Sequence, residues 1–379
     1  MAAQNGPASP HQPTHNPYLA QGPVIDYRPR SRTGRWRVIT LFIAGGIGCL
    51  ALVAAGTVAV VRHINHRPPP DARAAGVPVV DGDTLYLVDG HHVRLPVPDG
   101  GRVTRLDIVP DGYLYVVDQR NGIKDLRLAD RAGTGAYRHL AELADDDFRV
   151  TPDGSTAVVV AMDAPYRKRA AAIHLETGER WVTTATMDWP SIVDVTNGWA
   201  LLLDSGNPLD KPDTVLWNLN TGDITRATDP TIAEFGLLPS GAVLRGLHVP
   251  AWGADHADPP ACYGVVPVSG YGSAKLDGYC GKQVIGLTWV SPTGEWALAL
   301  MADRGSGDYI AVLRLSDLEA GSWAPVGLKT EMSSAVVFWD SPTTFIVPTT
   351  AGYQRCALDG SCQDLHLPLD IVVGRNIGT

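Results

Sequence analysis

Phe148-Arg149-Val150-Thr151-Pro152-Asp153-Gly154, followed by the apolar run Ala157–Ala161, decides the fold. A half-apolar segment runs into a Pro-Asp-Gly turn, and a far more apolar segment leaves it. Gly and Asp accept the positive φ that tight hairpin turns require. The same unit recurs along the chain. Its turns are Pro110-Asp111-Gly112, Pro152-Asp153-Gly154, Asn197-Gly198, Pro239-Ser240-Gly241, Pro292-Thr293-Gly294 and Ser341-Pro342-Thr343. The first residues of these turns lie 42, 45, 42, 53 and 49 apart. A hydrophobic strand follows each turn, as in Tyr113–Val117, Trp199–Leu203, Ala242–Leu247, Trp296–Leu300 and Phe345–Val347. A polar loop, a third strand and a second turn come next, as in Ala171–Leu175 before Glu176-Thr177-Gly178. A fourth strand such as Arg180–Thr184 ends the unit.

Nearly continuous apolar strands are buried on both faces, as happens when sheets stack around an axis. Four antiparallel strands per ~45 residues is the spacing of a propeller blade. The expected fold class is all-β, a β-propeller of four-stranded blades over residues 77–376, preceded by one transmembrane helix. Six full units run from about residue 103 to 368. Val77–Val80, Thr84–Val88 and His92–Leu95 add three strands, and Leu369–Val373 adds a fourth. Together they would complete a seventh blade and leave no open sheet edge. Six blades is the alternative, and a pair of β-sandwiches is a third reading.

Composition agrees. Gly 40 and Pro 29 in 379 residues exceed the usual ~12% for the pair and disfavour a helical bundle. The net charge of -9 is split: residues 1–75 carry eight Arg and two Asp, so residues 76–379 carry -15. A surface that acidic is a poor partner for nucleic acid.

Val38 to Val61 holds 24 residues with no charge and no Pro. At 1.5 Å per residue it spans ~36 Å, enough for a ~30 Å hydrocarbon core. A cleaved signal peptide would have a shorter apolar region, ~7–15 residues, and a shorter polar lead. Arg28, Arg30, Arg32, Arg35 and Arg37 precede the span, against Arg62, Arg67 and Arg73 after it. The bias puts the N-terminus inside. The expected layout is a disordered cytoplasmic tail at 1–37, a span at 38–61, a Pro-containing linker at 62–76 and an extracytoplasmic ectodomain. The linker's Pro68-Pro69-Pro70 is short and stiff, and is expected to hold the tight-turn face toward the bilayer.

Beyond Cys49, the cysteines form two close pairs, Cys262 with Cys280 and Cys356 with Cys362. Each pair flanks a hairpin, with Gly270-Tyr271-Gly272 and Asp359-Gly360 at the tips. Facing strand positions approach the separation a disulfide needs, so two disulfides are expected, in an oxidising compartment.

Phe148–Gly154 resembles the turn of WD-repeat and TolB-type propellers. Leu216-Trp217-Asn218-Leu219-Asn220-Thr221-Gly222 resembles the Trp-Asp end of a WD repeat and its turn. The resemblance implies a propeller and no particular function. The Gly-His start of a WD repeat is absent, and Asn218 stands in place of the usual Asp. Arg outnumbers Lys by 25 to 6, which looks like a GC-rich actinobacterial genome.

The chain holds no Gly-x-Ser-x-Gly elbow, Walker loop, Gly-x-Gly-x-x-Gly or His-Glu-x-x-His. No cofactor or metal is therefore expected, and the reading leans away from an enzyme. Asp145-Asp146-Asp147 lacks the alternating oxygens and Gly of a calcium loop and reads as solvated surface. Loop lengths say more. The long polar loops join second to third strands: Asp118–Lys124, Asp163–Arg169, Asp204–Asp213, Pro250–Ala261 and Ala302–Asp308. One face is thus elaborated, and function on a repeat scaffold resides in such loops. The candidate binding residues are Arg167, Lys168, Arg169, Trp252, Asp255, His256 and Asp258, with Trp252 as the aromatic anchor. A binding or scaffold module for a protein or cell-envelope component is the leading functional class. An envelope hydrolase or lyase with a site at the central funnel, and a structural subunit of a membrane complex, are the rivals.

Overall fold

The computed structural model describes residues 68–132, 134–164, 167–204, 213–226, 232–247, 261–271, 279–281, 284–301, 309–319, 326–328 and 337–378. The tail at 1–37, the span Val38 to Val61 and the linker up to residue 67 lie outside the described residues. Among the described residues no helix is long and apolar enough to cross a membrane.

The sheets are antiparallel meanders. Arg102–Val109, Gly112–Asp118, Lys124–Ala129 and Tyr137–Val150 pair in sequence order. Tyr137–Val150 runs for 14 residues, and its register shifts between Leu143 and Phe148. Its first half is the outer strand of one unit. Its second half is the inner strand of the next, with Thr156–Ala164, Arg167–His174 and Arg180–Val182 beyond it. Two units therefore share one eight-stranded sheet. Four further four-stranded meanders begin at Pro190–Val195, Ile232–Leu237, Val284–Val290 and Phe338–Trp339. The last sheet joins the two ends of the fold: Val372–Val373, then Val79–Asp81, Thr84–Tyr86 and His92–Arg94. One C-terminal strand and three N-terminal strands make it, in the expected order and with shorter bounds.

The second strand of a unit carries the core. In Thr156–Ala164, Ala157, Val159 and Ala161 pack into one cluster with Leu114, Leu126 and Phe148. Val158 and Val160, on the other face, pack with Ile192, Leu202 and Trp217 of the next sheet. All five strand residues are at most 1% exposed. A fully buried Val stabilises by about 1.5–3 kcal/mol, so a strand apolar on both faces ties two sheets together.

The Pro and Gly of the repeated turn act between units. Gly154 has φ +74, and a Cβ there would sit 2.4 Å from Pro110 Cδ in the preceding unit's turn. Gly294 has φ +71 and stands in the same relation to Pro239, at 2.7 Å. Any side chain at either Gly would be strained by φ and would push the neighbouring turn away.

Several expectations are revised. Asp163–Arg169 is a strand-extended hairpin rather than a long loop. Ala161, Met162 and Ala164 pair with Arg169, Lys168 and Arg167, because ladder bonds continue past the apolar run. After the strand Tyr309–Arg314 the chain forms a short helical stretch, Leu315–Glu319. Within the linker, Ala72–Ala75 forms a helical turn capped by Asp71, whose Oδ1 accepts from Ala74 N. Ala72 and Ala75 are buried with Phe338, Ile346 and Leu367, so this end of the linker belongs to the packed body.

Cys356 and Cys362 form a disulfide across their hairpin, at directly opposed positions. Cys262 and Cys280 are likewise opposed in backbone register.

Candidate functional site

In a meander of four strands, second-to-third loops and fourth-to-first connections share one face. First-to-second turns share the opposite face. The hairpin of Arg167, Lys168 and Arg169 stands on the first of these. Lys168 Nζ lies 2.7 Å from Asp145 Oδ2 and 4.9 Å from the ring centre of Trp189. Trp189 precedes the inner strand Pro190–Val195 and is 56% exposed. Its placement is built in. Asp204, at the end of a neighbouring strand, accepts from Trp189 N at 2.9 Å and from Asp188 N at 3.1 Å. Arg167 and Arg169 Nε lie 3.8 and 3.2 Å from Asp163 Oδ2. The result is an exposed indole beside the Lys168 ammonium, on a hairpin whose Arg167 and Arg169 pair with Asp163. Arg and Trp are the residue types that dominate binding hot spots.

Of the sequence candidates, the structure places Lys168 against Trp189, with Arg167 and Arg169 on the same hairpin and paired with Asp163. Trp252, Asp255, His256 and Asp258 lie outside the described residues. Trp189 is missed by sequence reasoning, because it falls in a connection between units rather than in a long loop. Its flanking Asp188 and Pro190 are the only local signal. Among the described residues no group of three His, Cys, Asp or Glu is placed to hold a metal.

The axis holds a second polar assembly. The inner strands converge on one cavity, lined by residues of Tyr137–Val150, Pro190–Val195, Ile232–Leu237, Val284–Val290, Phe338–Trp339 and Arg375–Asn376. Several of these strands carry a bulge, as at Ile192/Asp194 and Glu234/Gly236. A bulge re-aims the side chains beside it. Asp147, expected to be solvated, reaches sideways, and its Oδ2 accepts from Ile192 N of the next inner strand at 2.9 Å. Asp194 Oδ2 does the same with Leu237 N, also at 2.9 Å. Carboxylates thus staple consecutive inner strands. Burial pushes the Asp194 carboxyl above its ordinary pKa, against the pull of the Leu237 amide, of Arg149 and of the Val195 amide.

The C-terminal strand Arg375–Asn376 lies parallel to Arg102–Val109. Arg375 forks onto fully buried Asp107, with Nε 2.6 Å from Oδ1 and Nη2 in contact with Oδ2. Arg105 sits beside this pair, its guanidinium stacked 4.0 Å over the Phe148 ring. Burial, and then neighbouring Arg375, push Arg105 down to about 9.

No protein-family model matches the chain, and no curated sequence matches it. Solved structures do. The β-propeller domain of the trilobed protease from Pyrococcus furiosus aligns at TM-score 0.50 and 9% identity, over 69% of this chain and 84% of that one. An oligogalacturonate lyase in complex with manganese aligns at TM-score 0.50 and 15% identity, over 76% and 84%. TolB from Acinetobacter baumannii aligns at TM-score 0.41 and 15% identity, over 82% and 87%. With the convergent inner strands, the first two of these likenesses define the class by fold: the described body is a β-propeller.

Proposed function

We propose that this protein is a membrane-anchored, extracytoplasmic propeller of seven blades that binds a protein or cell-envelope component through its long-loop face. The blade number is supported by counting Tyr137–Val150 twice, as outer strand of one blade and inner strand of the next. The anchor is Val38 to Val61 with its Arg-rich inner flank. The Cys356–Cys362 disulfide supports an oxidising location for the propeller. The observation that carries the binding reading is Trp189, exposed beside the Arg167–Arg169 hairpin and held in place by Asp204.

A photo-crosslinking residue at Arg167 in intact cells tests this. It is expected to give a discrete adduct with one envelope component, weakened at least tenfold by Trp189→Ala. The same residue at Tyr137, which is 46% exposed where a third-to-fourth turn ends, is expected to give none. Adducts that survive Trp189→Ala, or that form equally from Tyr137, would overturn the assignment of the face. The melting temperature of Trp189→Ala should stay within about 2 °C of the parent, since exposed substitutions usually change stability by under ~0.5 kcal/mol.

A further inference from the structure

We infer that the surface around Trp189 recognises a neutral glycan, with the flat face of one sugar ring lying on the exposed indole. This rests on the binding face proposed above and names its ligand class. The ring is set in place before any ligand arrives. Asp204 holds its backbone by accepting from Asp188 N and Trp189 N, and Lys168 Nζ stands 4.9 Å from the ring centre. An ordered contact group gives up little freedom on binding.

Charge and surroundings select the ligand. Lys168 is paired with Asp145 at 2.7 Å, and Arg167 and Arg169 share Asp163. With exposed Asp188 beside the ring, these described side chains carry no net positive charge that would draw an acidic polymer. Protein interfaces centre on an apolar core depleted of charge. Here a single indole stands among exposed, paired charges, with Arg167 and Asp145 59% and 61% accessible. A protein seated on it would have to strip water from those pairs, and that desolvation offsets the Coulombic gain. A pyranose asks for something different. Its C–H bonds form a flat, weakly positive face that suits the negative face of an indole. Its hydroxyls both donate and accept. Guanidinium groups have five donors and carboxylates about four lone-pair sites, so these pairs can take up hydroxyls without being broken.

The test uses the full chain in a detergent without a sugar headgroup. Cellotetraose, chitotetraose and mannotetraose are the neutral probes, and tetragalacturonate is the acidic contrast. At least one neutral probe is expected to give a one-site calorimetric isotherm, and tetragalacturonate none. Trp189→Ala should abolish binding. Trp189→Phe keeps a ring to stack on and should stay within about tenfold of the parent. Tyr137→Ala, on the opposite face, should change nothing. No isotherm from any neutral probe would overturn the inference, as would an equal response to tetragalacturonate or undiminished binding by Trp189→Ala. The cross-link at position 167 separates this inference from the face it rests on. After proteolysis, the peptide spanning that position is expected to carry a periodate-sensitive carbohydrate mass. A cross-linked peptide there, still dependent on Trp189, would overturn the glycan and leave the binding face standing. Adducts independent of Trp189 would remove both.

Discussion

Second strands and inner strands of this propeller solve opposite problems. The second strand Gly112–Asp118 is buried along almost its whole length, with Leu114, Tyr115, Val116 and Val117 inaccessible to solvent. It needs only apolar bulk, because stacked sheets cover both of its faces. The inner strand Arg102–Val109 borders the axis and carries Arg105 and Asp107 among its apolar residues. Around the axis the strands splay, the ladder bulges, and backbone amides of one strand meet the side chains of the previous one. Carboxylates and guanidinium groups fill that role, since they reach across a gap that aliphatic side chains cannot bond across. The propeller is thus hydrophobic between its sheets and ionic at its centre.

The contrast is broken most severely at Arg375. Replacing it with Met leaves Asp107 charged and buried, and removing one partner of a buried pair costs about 3–5 kcal/mol. Thermal unfolding of the full chain in detergent should show a large drop in melting temperature. Asp107→Asn combined with Arg375→Met should recover part of it. If Arg375→Met unfolds like the parent, the axis is held by packing and not by charge.

The next effect belongs to the second strand. Leu114→Ala removes a fully buried side chain from the cluster around Phe148 and Val159, at a cost of about 3 kcal/mol. Unlike Arg375→Met, this loss should be independent of pH between about 5 and 8. A pH-dependent loss would show that the two strand types are not separable.

The smallest effect sharpens the comparison. Burial raises the folded-state pKa of Asp194 above the ordinary value of 3.8. The folded chain therefore holds this proton more tightly than the unfolded chain. Its contribution favours folding at low pH and is lost as pH rises from 3.8 through the raised value. Asp194→Asn removes that loss but gives up one of two amide bonds, worth about 1 kcal/mol. The variant should be less stable than the parent near pH 4, and the deficit should shrink toward pH 8. Melting temperatures of both chains across this range check it; a constant deficit would contradict the raised pKa.

Much of this is legible in the amino-acid sequence of residues 77–376. The Pro-Asp-Gly turns, their spacing and the apolar runs behind them state a repeat of four strands, because turn chemistry and strand burial are local properties. The closing sheet was legible too, since three strands before the first full unit and one after the last leave a single way to avoid open edges. The opposed cysteine pairs followed from hairpin geometry. What lay beyond the sequence was the role of each charge. Asp145-Asp146-Asp147 reads as a solvated run, yet Asp145 meets Lys168 and Asp147 staples the next inner strand 45 residues on. Trp189 looks like one connector residue, and only Asp204 and Lys168 make it an exposed, oriented ring. Arg149 sits in the very stretch that reveals the fold, and its electrostatic pull on Asp194 of the next inner strand is invisible there. An apolar residue declares its destination by avoiding water wherever it is. A charged residue declares nothing until its partner is brought beside it by the closure of the ring.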